Sequence, residues 1–351
     1  MDGPSSALAF IEAFDPRRLS TPWRRLLTVV AALALALPLV CAAASAAEPF
    51  RVEAFAGASN LPLWAGQQQG LFARRGLDVT VDITPGSVPM ARDLEAGRYD
   101  LALTSVDNVV AYDEGEGQAG LGEVYFVALF GVDDGMLSLV AAPSVLSAAA
   151  LAGRRVSVDA ATTGYAFVLR AILARAGLAD VPFIQVGGGA KRLAGLLAGQ
   201  QDATLLNTPL DIVAESHGFR VLARARDELG AYQGIVAAVR RASVTADRAR
   251  LVAFTAGFHD SVAWVTDPAH RAAVTALLAA NMPALTGDAL TAAHAALVDP
   301  KRGIYRDLRV DMPGLRTVLA LRSKYAVPHK ELTDPNRYVE TSILTAALAL
   351  R

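Results

Sequence analysis

The residues of this chain best suited to chemistry are small and polar, and they fall in turns. In order they are Ser59 and Asn60, Ser87, Thr104 with Ser105 and Asn108, Thr162 and Thr163, and Asn207 with Thr208. Hydroxyls and carboxamides of this kind cap the helix that follows, and they also meet the polar groups of a small ligand. Neither task breaks a covalent bond. Trp64 and Tyr165 begin helices beside these turns, and Tyr232 precedes a strand, so each offers a face for stacking. Gly187-Gly188-Gly189 with Lys191 and Arg192 could cradle an anion at a helix start, but lacks the spacing of a phosphate-binding nucleotide loop. A flexible turn beside a solvated basic face is the other reading.

Bond-breaking machinery is missing from the pattern. There is no Gly-x-Ser-x-Gly elbow, no His-Glu-x-x-His and no calcium loop. His217, His259, His270, His294 and His329 all lie outside the polar turns, and their spacing makes no metal site. Asp107, Asp134 and Asp159 are the carboxylates near the turns that an acid or base role would need. No cofactor motif is present.

The elements that position these turns follow from periodicity. Arg51–Ala56 reads as a strand, a helix runs from Trp64 to Arg75 and stops at Gly76, and LDVTVDI (77–83) alternates as a second strand. Ser87 opens a helix ending near Gly97, and Tyr99–Leu103 is a third strand. Residues 153–217 repeat the order: strands at 155–158, 182–186 and 203–206, helices at 165–176 and from 189 to about Gly199. The letters echo too, LEAGRYDLALTSVDNVV against LLAGQQDATLLNTPLDIV. Two βαβαβ halves result. Strands at Met136–Ala142 and Gly234–Val239 bracket the second half, as in a domain inserted on a two-strand hinge. After Arg241 the pattern is helical, with Leu251, Phe254, Phe258, Val262 and Val265 forming one stripe, and this tail is expected to pack on the first half. In open α/β sheets ligands bind at the carboxyl ends of the strands, where these turns lie.

Composition narrows the classes. With 33 basic and 34 acidic residues, and only four lysines, the chain has no electrostatic grip for nucleic acid. Arg17, Arg18, Arg24 and Arg25 precede an uncharged run, Leu26–Val40, and then CAAASAAE. That is the layout of a secretory leader cut after Ala47, and the run is short for a spanning helix, which needs about 20 apolar residues. Cys41, the only cysteine, would leave with the leader, so residues 48–351 would have no disulfide and no thiolate metal site.

From about residue 50 onward the chain resembles ABC-transporter solute-binding proteins of the nitrate/sulfonate/taurine type, a group that includes thiamine-precursor binders. The resemblance is carried by PLWAGQQQGLFARRGLDV (62–79), AGRYDLALTSVDNVVAY (96–112) and SVDAATTGYAFVLRAILARAGL (157–178). It implies an α/β type II periplasmic-binding-protein fold: lobe 1 from 48–139 and 236–351, lobe 2 from 140–235, with 1–47 as the leader. It further implies a monomeric periplasmic receptor that delivers a small organic solute to an ABC permease and its ATPase subunit. Binding roles carry over to Ser59, Asn60, Ser105, Asn108, Thr162, Thr163, Gly164 and Asn207. The turn Pro85-Gly86-Ser87 departs from the longer glycine-serine run of relatives. The thiamine-precursor synthases of the superfamily consume a histidine and carry a cysteine-rich stretch, and this chain has neither feature in place. The competing reading is a lyase or dehydratase on the same two-lobed fold.

Overall fold

Alternating or continuous apolar runs make two five-stranded sheets. In the first, β1 (Glu48–Ala54) lies between β2 (Leu77–Ile83) and β3 (Leu101–Ser105), all parallel, with Val52 paired to both Val81 and Leu101. β10 (Ile235–Arg240) joins β3 antiparallel, and β4 (Phe126–Gly131) closes the order β2-β1-β3-β10-β4. The second sheet has β5 (Leu137–Ala141), β6 (Val156–Val158), β7 (Phe183–Gln185), β8 (Ala203–Asn207) and β9 (Arg220–Arg224), in the order β7-β6-β8-β5-β9. The two orders are the same once the strands are matched, so the repeat seen in the letters is a repeat of architecture. The structure is a computed structural model that describes residues 47–117, 120–122 and 124–350. The leader reading falls almost wholly on residues outside these.

Helices follow the strands: α1 (Leu61–Gln68), α2 (Ser87–Glu95) and α3 (Val106–Asp113) in the first lobe, α4 (Gly164–Arg175), α5 (Gly189–Leu197) and α6 (Leu210–Ser216) in the second. The tail supplies α7 (Arg248–Thr266), α8 (Arg271–Asn281), α9 (Gly287–Val298), α10 (Met312–Tyr325) and α11 (Ser342–Leu348). The α7 stripe is buried, and Phe254 stacks on Phe50 of β1 at 4.6 Å and on Phe72 at 5.2 Å between ring centroids. Burying such side chains removes apolar area worth about 25 cal/mol per Å² from water, which is how a chain without staples is held.

Four expectations need amendment. The helix expected from Trp64 to Arg75 is broken, because Gly70 takes a left-handed conformation (φ 64°) and Leu71 N–H turns back to the Gly66 carbonyl. β4 and β9 were not foreseen: FVALFG is buried on both faces and shows no alternation, and RVLAR is short. The bracketing strands lie in different sheets, Leu137–Ala141 in the second and Ile235–Arg240 in the first. The chain therefore crosses between lobes just before β5, at residues 132–136, and just before β10, at residues 230–234. Finally, the tail packs on the first lobe but also touches the second, α9 against α6 and α10 against α4.

Candidate functional site

The carboxyl ends of β3, β6 and β8 face one another across the two lobes and border a pocket of about 60 Å³. It is lined from the first lobe by Phe55, Ala56, Ser105, Asn108 and Ile235, and from the second by Asp159, Thr163, Gly164, Tyr165, Gly188, Gly189, Arg192 and Asn207. The local folding reasons are plain. Ser105 caps α3 by accepting from the Asp107 amide at 3.3 Å, and Thr163 caps α4 by accepting from the Ala166 amide at 3.4 Å. Thr163 also donates to the Ala160 carbonyl at 3.0 Å, so its hydroxyl is committed twice. Asn108 donates to Thr104 Oγ1 at 2.8 Å, which fixes its carboxamide. Asn207 reaches across: a Cβ on Gly57 of the first lobe would lie 3.0 Å from its Nδ2.

Two polar groups at this pocket have no protein partner. Arg192 is 3% exposed and donates to the carbonyls of Gly187 (2.6 Å) and Leu205 (3.0 Å), yet its Nε is buried without an acceptor. The Tyr165 ring is partly exposed, whereas its hydroxyl is buried and unpartnered. Unsatisfied buried donors cost about 1–3 kcal/mol each and so mark places where another molecule would be welcome. Burial lowers the Arg192 pKa, an effect opposed by the nearby Asp159 carboxylate. Burial raises the pKa of Asp159 and Arg192 opposes that rise, so each group favours the charged form of the other. Burial also pushes the Tyr165 hydroxyl well above the ordinary phenol range, so it stays a neutral donor or acceptor.

Of the residues picked out from sequence, the structure gathers Ser105, Asn108, Thr163, Gly164, Tyr165 and Asn207 at this pocket. Ser87 and Thr162 line a smaller adjoining space with Asn108, Thr163 and Arg322. The others stand behind. Ser59 donates to Asp133 at 2.5 Å, Asn60 donates to the Phe55 carbonyl at 2.8 Å, and Thr104 receives Asn108. Trp64 packs against the main core, and Tyr232 is buried. Sequence reasoning did not rank Phe55, Ile235 or Asp159 as ligand contacts, and it could not tell Lys191 from Arg192. The structure separates these two: Lys191 is exposed and Arg192 buried. The signal was the position of Arg192, three residues into α5, where it returns to the carbonyl that precedes the helix.

Two of the three candidate acid/base carboxylates are spent. Asp107 accepts from Arg322 Nε (2.8 Å) and Nη2 (2.5 Å). Asp134 accepts from Arg226 (2.7 Å) and from the Met136 amide (2.9 Å). A larger cavity, about 410 Å³, lies between α6 and α9, where Arg224 comes within 3.7 Å of the buried Asp211 carboxylate. Among the described residues no cluster of three or more His, Cys, Asp or Glu could hold a metal ion. No helix among them is long and apolar enough to cross a membrane.

A sequence profile of the NMT1-like family matches residues 54–279. A protein of Bordetella bronchiseptica RB50 superposes with TM-score 0.71 at 20% identity, covering 86% of this chain and 97% of its own. The periplasmic nitrate-binding protein NrtA of Synechocystis PCC 6803 does so with TM-score 0.71 at 12% identity, covering 86% and 89%. The periplasmic aliphatic sulphonate-binding protein SsuA of Escherichia coli gives 0.61 at 21%, covering 84% and 92%. These likenesses establish the periplasmic-binding-protein fold. None of the curated proteins matches the chain.

Proposed function

The chain belongs to the NMT1-like family, and from that premise we propose that it is the exported, monomeric solute-binding component of an ABC importer. It captures a small organic solute between its lobes and hands it to a permease coupled to an ATPase. The observation that carries this reading is the pocket between two like lobes, lined by Arg192 and Tyr165 with their buried, unpartnered Nε and hydroxyl. The architectural likeness to nitrate-binding and sulphonate-binding proteins supports it.

The chemistry is recognition. Arg192 Nε offers a hydrogen bond to an acceptor group on the solute, and Asp159 receives one from a donor group. Ser105, Asn108, Asn207 and Tyr165 surround the remainder, and Gly164, Gly188 and Gly189 let the backbone come close. Closure around the solute buries it and presents a surface that the open form lacks, so the permease distinguishes the loaded state by a shift in population. With Asp107 and Asp134 each held by an arginine, a lyase or dehydratase would have to work through Asp159.

The test is thermal unfolding of residues 48–351 against small organic acids, sulfonates, amines and pyrimidines. A true ligand adds about 2.7 kcal/mol to stability at one hundred times its dissociation constant. The expected result is a large Tm shift for one compound class, with the compound recovered intact and the shift abolished in Arg192→Gln and Asn207→Ala. Consumption of the compound would replace this reading with the enzyme. A full shift in both variants would move the site elsewhere.

A further inference from the structure

Arg322 stands where the lobes and the tail meet. It belongs to α10, a helix outside both sheets, and is 1% exposed. Its guanidinium grips the first lobe through Asp107, by way of Nε at 2.8 Å and Nη2 at 2.5 Å, and through Glu116 by way of Nη1 at 2.8 Å. The same group touches the second lobe twice: Nη2 donates to the Thr162 carbonyl at 3.3 Å, and Cζ lies 5.1 Å from the centroid of the Phe167 ring in α4. Gly164, the first residue of α4, rests directly on the Asp107 side chain, and a Cβ there would come within 2.4 Å of Asp107 Cβ and Cγ.

The two sets of contacts differ in kind. Those to the first lobe are charge-assisted and bidentate, so they hold Arg322 whether or not the lobes are together. Those to the second lobe are one bond to a neutral carbonyl and one ring face, weak enough to be made and lost reversibly. A buried ion pair is poor evidence of added stability, because desolvation consumes most of its Coulombic gain. What this pair does supply is a preformed, charged seat on the first lobe that only a glycine-led helix of the second can occupy.

We propose that Arg322, anchored on Asp107, is the closure latch of the molecule: it positions the second lobe over the pocket through the Thr162 carbonyl, the Phe167 ring and the bare backbone of Gly164. The latch rests on the solute-binding reading only in taking capture as the purpose of closure, and its test needs no solute. Residues 48–351 contain no cysteine. Spin labels are then placed through cysteines at the exposed positions Glu95 and Ala179, one in each lobe, and their separation is measured by pulsed EPR well below Tm.

The parent protein is expected to populate the short, closed separation. Arg322→Lys keeps the charge but cannot serve all its acceptors at once, and Gly164→Ala lifts α4 from Asp107 while favouring helix formation at that position. Both are expected to reduce the closed-to-open ratio about tenfold. A purely structural role for Arg322 would instead lower Tm and leave the separation unchanged. The proposal is overturned if the parent lacks the short separation, or if every variant that folds keeps the parent's separation. Should Arg322→Lys fail to fold, Gly164→Ala decides alone. Either outcome leaves the solute panel to judge the binding reading separately.

Discussion

At the scale of single residues, the polar turn side chains do structural and recognition duty together, and their hydrogen bonds show the division. Thr163 spends its hydroxyl on the backbone, Asn108 fixes itself on Thr104, and only Arg192 and Tyr165 keep buried groups unspent at the pocket. Asp133 illustrates a different use of a turn residue. It is fully buried at the first lobe crossing, where it accepts from Ser59 Oγ (2.5 Å), the Gly135 amide (2.8 Å) and the Ile235 amide (3.3 Å). Burial pushes its pKa up from 3.8 to about 6, against the pull of those three bonds and with help from neighbouring Asp134. Below about pH 4 the group is protonated folded or unfolded. Between there and about 6 only the folded chain holds the proton, so stability falls as pH rises through this window. Asp133→Asn removes that loss. The difference in Tm between variant and parent is therefore expected to climb from pH 4 to pH 7, and a difference constant across the range would refute the assignment. The burial of Asp133 was not legible in the sequence, since no local pattern reports what packs over it.

Elements were the most readable level. Alternation in LDVTVDI, glycine stops such as Gly76 and Gly177, and hydroxyl caps at Ser105 and Thr163 are decided within a few residues by sterics and local hydrogen bonding, so the string itself displays them. The misses have equally local explanations: Gly70 breaks a helix whose apolar pattern runs on, and β4 is buried on both faces and so carries no alternation. The stripe of α7 makes a quantitative prediction. Phe254 is 0% exposed and stacks between Phe50 and Phe72, so Phe254→Ala should cost about 3–5 kcal/mol in urea unfolding. That loss should come without weakening solute affinity in the protein that remains folded, because no residue of α7 lines the pocket.

For the whole molecule, the decisive features are the two crossings and the tail. The crossings pack so closely that a Cβ on Gly234 would lie 2.0 Å from the Gly135 nitrogen and 2.3 Å from its Cα, both backbone atoms with no freedom to yield. Gly234→Ala is thus expected to destabilise the protein by about 1–3 kcal/mol, read as a lower urea midpoint. An unchanged midpoint would show that the two crossings are not held in contact. The tail was expected on the first lobe, yet it also reaches the second, and Arg322 meets Asp107 across 215 residues of chain. The sequence by itself determined the two α/β halves, the βαβαβ run of each, the polar turns at the strand ends and the resemblance to solute-binding proteins. These follow from short-range periodicity and turn chemistry, which neighbouring residues settle among themselves. Only the tertiary structure decided which turns share a pocket, that Arg192 faces inward while Lys191 does not, that Asp107 is bound to an arginine, and that the tail spans both lobes. Such pairings depend on how distant elements pack, and packing is a property of the assembled core that no window of neighbouring residues contains.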